Sequence, residues 1–366
     1  MKLLYITNQI SGSGGLERVL SIKASHFADE LGHEVHIVTL NDTHDSIFFK
    51  FSPKIQLHNI SLRNSTIAYM LGYFKGVKKI ISDIDPDIIL VCDDGIKGFF
   101  VPFFNNGKTI VYERHVSKVV EQGEGKGSFS KRISTKIKYK LMDIGAKKFD
   151  SFIVLTEGNR KEWKSPNVRV IANPLPIFPE GVSALTEKKV IAVGKHCYQK
   201  GYDRLLMAWE VVTKQHPDWT LEIFGLSHPK HNLDQWSKNL RIDHTVNLKS
   251  PAKDIYNHYL NSSFHVLSSR YEGFGMVIIE AMACGLPSIS FDCPHGPSDI
   301  ITDHHNGLLV ENGNIEEMAN SICKLIEDEN LRKRLGHNAK ISVGRYKIRE
   351  IGNVWNNLFL ELANRH

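Results

Sequence analysis

The feature that most restricts how this chain can fold is the run from Phe264 to Phe291. A strand-like stretch, Phe264-His265-Val266-Leu267-Ser268, gives way to a turn carrying Gly273 and Gly275. The apolar segment Met276 to Cys284 reads as a short helix stopped by Gly285 and Pro287, and Ser288-Ile289-Ser290-Phe291 reads as strand again. Strand, glycine turn, helix and strand make a βαβ unit, the building block of an α/β fold. Gly273 and Gly275 let backbone approach a ligand with no Cβ in the way. The amides that open the helix then point at that ligand and favour phosphate or an electron-rich sugar oxygen. Two carboxylates bracket the turn: Glu272 before the helix and Glu280 inside it, eight residues on.

The same alternation opens the chain. A strand over Leu3 to Thr7 leads into a loop with Gly14 and Gly15, a helix to about Leu31, and a strand from Glu34 to Leu40. This is a Rossmann-like start, but a dinucleotide fingerprint needs glycine at position 17 and finds Glu17. Further strands are expected at Ile55 to Ile60, Ile88 to Val91, Thr109 to Tyr112 and Phe152 to Leu155, with a helix around Ile67 to Ile81. The Pro-rich passage from Asn173 to Pro179 reads as a linker. Beyond it the pattern restarts with a strand at Lys189 to Val193, Gly194, a helix at Tyr202 to Thr213, and strands at Leu221 to Phe224 and Val246 to Leu248. A chain of 366 residues has room for two such domains.

Bulk properties narrow the function. No apolar run is long enough for a membrane span, and Met1 to Thr7 reads as a first strand, not a signal peptide. The five cysteines are scattered and never form a C-x-x-C pair, which fits a reducing compartment and disfavours structural zinc. A net charge of +6 suits anionic ligands or an anionic surface without selecting nucleic acid.

The stretch Glu272-Gly273-Phe274-Gly275 through Glu280 resembles the donor-sugar motif of glycosyltransferase family 4, retaining enzymes with the two-domain GT-B fold. The resemblance implies two Rossmann-like domains facing each other across a cleft. It places residues 1–173 in an acceptor-binding domain, 174–346 in a nucleotide-sugar-binding domain, and a final helix, about 347–366, back on the first. It implies that Glu280 binds the ribose hydroxyls, that Glu272 lies near the hexose hydroxyls, and that the amides of Gly273, Phe274, Gly275 and Met276 hold sugar and diphosphate. The plain alternative is a solvated helix carboxylate and a charge matching the helix dipole.

Gly194-Lys195 and Lys200-Gly201 resemble the family's Gly-Arg…Lys-Gly motif, in which both cations clamp the donor diphosphate. Lys195 stands where the family usually has Arg, a point charge in place of a bidentate fork. Without a metal, fixed cations and helix amides must neutralise the leaving phosphate; solvated loop lysines are the alternative. Gly14 and Gly15 match the loop that reaches toward donor phosphate and acceptor, or form a plain turn. His115, just past the Thr109 to Tyr112 strand, matches a position near the reacting sugar; Arg114 is its alternate, and a surface loop histidine the plain reading. Asp93-Asp94 reads as loop or cap residues, because this family uses no Asp-x-Asp metal site.

Glu121 to Gly127 reads as a flexible stretch. Lys131 to Lys148 then holds seven basic residues against Asp143, with Ile133, Ile137, Leu141 and Ile144 at helical spacing. This is either a core helix with a solvated basic face, or a surface that docks on anionic lipid with its apolar face still packed on the domain.

The combined expectation is a metal-independent, cofactor-free hexosyltransferase of the cytoplasm. It would move a hexose or N-acetylhexosamine from a UDP-sugar to a glycan or polyprenyl-diphosphate-linked acceptor in surface-polysaccharide assembly. An epimerase or phosphorylase on the same fold, or a non-catalytic donor-binding partner, are the alternatives. Nucleic acid is not expected as a partner.

Overall fold

A computed structural model describes residues 1–365 except 13, 46, 64, 94 and 119–128. Asp94 and the Glu121 to Gly127 stretch therefore lie outside the described residues. The chain divides into two compact units, Met1–Pro176 with Ile348–His366, and Ile177–Lys347.

The first unit is a seven-stranded sheet in the order β3-β2-β1-β4-β5-β6-β7. Its strands are β1 (Lys2–Thr7), β2 (Glu34–Leu40), β3 (Gln56–Ile60), β4 (Ile88–Cys92), β5 (Thr109–Glu113), β6 (Ser151–Val154) and β7 (Val168–Val170). The described pairings are parallel; β1 meets β4 in register from Leu3↔Ile88 to Thr7↔Cys92. Leu3 to Ile6 and Ile88 to Cys92 are buried without alternation. That pattern belongs to a parallel sheet covered on both faces, which is why these strands read as continuous apolar runs.

Three helices follow their strands: α1 (Gly15–Asp29), α2 (Thr66–Ile84) and α3 (Phe129–Ala146), with a 3₁₀ segment at Lys97–Phe103. Tyr73 and Val77 of α2, Phe99 of the 3₁₀ segment and Met142 and Ala146 of α3 share one core with Ile89, Tyr112 and Phe152. The expectation that the apolar stripe of α3 packs on the domain is corrected here. Ile133, Ile137, Leu141 and Ile144 are 44–55% exposed. The helix docks instead through Met142, Gly145 and Ala146, and a Cβ at Gly145 would lie 2.7 Å from Phe99. Small residues let the helix approach closely, and close approach turns the bulky aliphatics outward.

The second unit is a six-stranded sheet in the order β10-β9-β8-β11-β12-β13. It comprises β8 (Lys189–Val193), β9 (Thr220–Phe224), β10 (Val246–Lys249), β11 (Phe264–Leu267), β12 (Ser288–Phe291) and β13 (Gly307–Val310). Helices α4 (Tyr202–Gln215), α5 (Met276–Ala283), α6 (Ile315–Glu327) and α7 (Glu329–Ser342) belong to it. Trp209, Phe264, Ile289, Ile322 and Leu335 meet in its core.

The last helix, α8 (Ile348–Ala363), returns to the first unit. Phe359 stacks edge-on against Phe27 of α1, and Glu361 receives a bidentate pair of hydrogen bonds from Arg169 at 2.6 Å. Among the described residues no helix is long and apolar enough to cross a membrane.

Candidate functional site

In open α/β sheets ligands bind beyond the carboxyl ends of strands, where the strand order reverses. In the second unit that reversal lies between β8 and β11. The loop after β8 carries Lys195 and Lys200, and the loop after β11 carries Glu272 to Gly275. The structure brings two of these together: Lys200 Nζ donates to Glu272 Oε1 at 2.8 Å. Ser269 Oγ donates to the same oxygen at 2.6 Å, and the Glu272 amide bonds the Pro294 carbonyl at 3.1 Å.

Both loops are shaped for this meeting. Gly201 has φ +62, and a Cβ there would fall 2.1 Å from the Ser268 carbonyl oxygen. Only glycine lets the loop after β8 lie this close to the backbone after β11. Gly275, at φ +100, caps α5 in the left-handed region with no side-chain cap, and the first amides of a helix have no intrahelical partner. Phe274 is buried and sets its ring edge-on to Tyr346, 5.5 Å away, which anchors the turn. Met276 opens α5, and Glu280 lies within it, 2% exposed. Neither carboxylate of the motif is a solvated one. Lys195 is exposed.

Electrostatics distinguish the two buried bases here. Burial opposes the Lys200 ammonium, yet the charge and hydrogen bond of Glu272 outweigh it and hold the amine above its ordinary value. His265, wholly buried in β11, is pushed down to about 3 by burial and by the Lys200 charge, and its Nδ1 lies 3.1 Å from Ser288 Oγ. It is a neutral core histidine. A groove of about 560 Å³ continues from this loop along the ends of β9 and β10, lined by His196, Gly225, Leu226, Leu248, Lys249 and Ser250.

Several supports were not evident from sequence. Gln199 bonds the Tyr271 carbonyl at 3.1 Å, and Arg270 pairs with Asp203 at 2.5 Å while lying 4.0 Å from the Tyr198 ring. Ser269, three residues before Glu272, was a readable signal; Arg270 and Asp203 are 67 residues apart and offered none.

The remaining candidates lie in the first unit. Gly14 caps α1 at φ −80 and Gly15 is its first residue, so neither needs a left-handed conformation. The Glu17 carboxylate turns back over Gly12 and Gly14 and hydrogen-bonds Gln9 at 3.2 Å, a negative group at the helix start. His115 Nε2 lies 3.2 Å from Glu113 Oε1. That carboxylate also receives the Lys23 ammonium and, at 3.2 Å, the Cys92 thiol. Cys92, Glu113 and His115 are the one described set whose donor atoms could converge on a metal ion, but the Lys23 ammonium already brings positive charge there. Asp93 is a buried loop residue that accepts from Gly95 N at 2.7 Å.

Residues 176–342 match the family described as glycosyl transferases group 1, and residues 13–151 match glycosyl transferase 4-like. An uncharacterized glycosyltransferase of Haemophilus influenzae is 29% identical over 97% of this chain and 98% of its own. The amylovoran biosynthesis glycosyltransferase AmsD of Erwinia amylovora is also 29% identical, over 98% and 99% of the two chains. The crystal structure of Anabaena HepE with UDP-glucose shares the fold at a TM-score of 0.77, 18% identity, 99% of this chain and 100% of the other. The two family matches together span both halves, and the protein belongs to the group 1, family 4-like glycosyltransferases with the GT-B fold.

Proposed function

We propose that this glycosyltransferase is retaining and metal-independent, taking a hexose or N-acetylhexosamine from a UDP-sugar to a hydroxyl of a glycan or lipid-linked saccharide. The observation that carries this is the Lys200–Glu272 pair at the strand-order reversal of the second unit. An ammonium that already holds an anionic oxygen at 2.8 Å is a ready diphosphate ligand. On donor arrival the phosphate replaces Glu272 on Lys200, and Glu272 turns to the hexose hydroxyls. Lys195 adds a second cation, the amides of Gly273 to Met276 hold the diphosphate, and Glu280 takes the ribose.

In the transfer the bond from anomeric carbon to diphosphate oxygen breaks while the acceptor oxygen bonds that carbon from the same face. The acceptor's proton passes to the leaving phosphate. His115 hydrogen-bonds a sugar or acceptor hydroxyl, and the Gly14-Gly15 loop approaches the phosphates. In this reading residues 174–346 are the donor domain, 1–173 with the final helix the acceptor domain, and the protein works in the cytoplasm. HepE with UDP-glucose supports the donor class, and the amylovoran enzyme AmsD supports polysaccharide assembly.

The outer side of α3 supports an acceptor carried on lipid. Four half-exposed aliphatics run beside the exposed Lys136, Lys140 and Lys147, the composition that seats a helix in an anionic membrane surface.

The test is a titration of the protein against UDP- and GDP-sugars with EDTA present, followed by slow hydrolysis and the anomeric configuration of the product. Saturable UDP-sugar binding that EDTA leaves unchanged is expected, with retained configuration. Binding to no donor, or only with a divalent ion, overturns the reading.

A further inference from the structure

Lys136, Lys140 and Lys147 share one face of α3 at helical spacing, and Lys164 joins them from beyond the short helix Glu157–Lys161. The four border a single groove of about 460 Å³, whose walls also include Tyr139, Asp143 and Ile144. All four lysines are exposed, and among the described residues none of their ammonium groups has an ion-pair or hydrogen-bond partner.

Four cations around one hollow repel one another unless acids offset them. The nearby acids are engaged elsewhere. Asp143, in the groove wall, is held by the Lys118 ammonium at 2.8 Å, and Glu162 accepts from the Lys118 amide at 2.9 Å. The same ammonium lies 4.0 Å from the Trp163 ring and donates to the Glu162 carbonyl at 2.8 Å, while the Tyr139 hydroxyl donates to the Lys118 carbonyl at 2.9 Å. Lys118 thus ties α3 to the segment that carries Lys164, and it occupies the carboxylate that would compete for the groove's lysines. The hollow keeps its shape through bonds that use none of its four cations.

We propose that this groove seats a multiply charged phosphate, the phosphomonoester or diphosphate head of a membrane lipid. A phosphomonoester carries about −1.5 to −2 at neutral pH and offers three acceptor oxygens, which matches several unpaired lysines. A phosphodiester headgroup has a single charge and fewer free oxygens. Ile144 belongs to the groove wall, and the half-exposed Ile133, Ile137 and Leu141 continue from it along α3. The seat therefore opens beside an apolar strip suited to a lipid chain, which a free phosphate would not need. The inference rests on the reading of the outer side of α3 as lipid-facing. It adds a headgroup preference, which a diffuse basic surface does not have.

The test is flotation of the full-length protein with phosphatidylcholine vesicles containing either phosphatidate, a phosphomonoester, or phosphatidylglycerol, a phosphodiester, adjusted to equal zeta potential. Binding to phosphatidate is expected to be about tenfold tighter. Two variants then lose the same charge: Lys164→Ala in the groove, and Lys161→Ala outside it. Lys161→Ala should weaken binding to both lipids by one common factor, up to about fivefold. Lys164→Ala should bring phosphatidate down to the level of phosphatidylglycerol. At constant ionic strength, inorganic diphosphate should displace the protein from phosphatidate at concentrations that leave phosphatidylglycerol binding unchanged.

Equal binding to the two lipids, or a preference that Lys161→Ala removes as fully as Lys164→Ala, overturns the proposal and leaves the docking of α3 intact. Binding to neither anionic vesicle overturns both. Diphosphate bound in solution and lost in Lys164→Ala, with no vesicle binding, would assign the groove to a soluble phosphate instead.

Discussion

The two units solve the same topological problem with different charge. Each is a parallel sheet whose strand order reverses beside its first strand, at β1/β4 and at β8/β11. At the β8/β11 reversal stands an ion pair whose side chains are 16% and 8% exposed, Lys200 with Glu272. At the β1/β4 reversal Asn8 donates to Asp93 at 3.3 Å and Lys97 lies 3.9 Å from the same carboxylate, while another ion pair of this unit, Lys23 with Glu113, is sealed at 1% and 2%. A partly open pair can exchange its carboxylate for another anion. A sealed pair cannot, and its charge serves only the side chains already around it. In the function proposed above, the second unit's pair is the binding device, while the first unit's pair ties α1 to β5.

That contrast is broken most directly at Lys200. Lys200→Met is expected to lower donor turnover by about 10³-fold, as loss of a fixed group on the departing phosphate does. Retention within about tenfold, in a protein whose circular dichroism is unchanged, would make the pair a structural staple like its counterpart. Lys23→Met should act on stability instead: stranding the Glu113 charge costs about 3–5 kcal/mol in urea unfolding. Adding Glu113→Met should return the protein to within about 1 kcal/mol of the original. If the single change costs no more than the double, the first unit's pair is not sealed.

Acid sharpens the comparison within the second unit. Folded His265 takes up its proton only near 3, whereas in the unfolded chain the ring does so near 6.5. The unfolded state therefore binds more protons across this window, and stability falls as pH falls through it, by about 1.4 kcal/mol per unit. Urea titrations at pH 6 and pH 5 should show this slope, and His265→Gln should flatten it.

The smallest effect concerns the exposed side of α3, proposed above to meet an anionic lipid surface. Ile137→Ser with Leu141→Ser should leave unfolding within about 0.5 kcal/mol, since both side chains are already half in water. Binding to vesicles of anionic lipid should weaken roughly tenfold. Undiminished binding in flotation would move docking away from this helix, and equal binding to zwitterionic vesicles would remove the lysines from it.

What was legible before folding follows from how local each signal is. Lys189–Val193, Ser288–Phe291 and Ile348–Ala363 stand where apolar runs, glycines and prolines put them. The edge strands Val168–Val170 and Gly307–Val310 were missed as strands, because three or four residues carry too little period to separate strand from loop. The direction of α3 was misread because its most apolar stripe is not the one the sheet accepts; Gly145 and Ala146, weak as hydrophobic signals, decide it through close approach. Lys23 offered a signal, a charge on the buried Leu20, Ala24 and Phe27 side of α1, but nothing local names its partner.

The sequence by itself determined the βαβ alternation, the two glycine-bearing loops after β8 and β11, and the residue types those loops present. These depend on neighbours within a turn or two of chain. Only the tertiary structure decided which charges meet: Lys200 and Glu272 are 72 residues apart, and Lys23 and Glu113 are 90 apart. Their encounter follows from strand order. Parallel pairing sets β8 beside β11 and β4 beside β5, and that arrangement fixes which loop ends share a crevice and which charges are closed off from water.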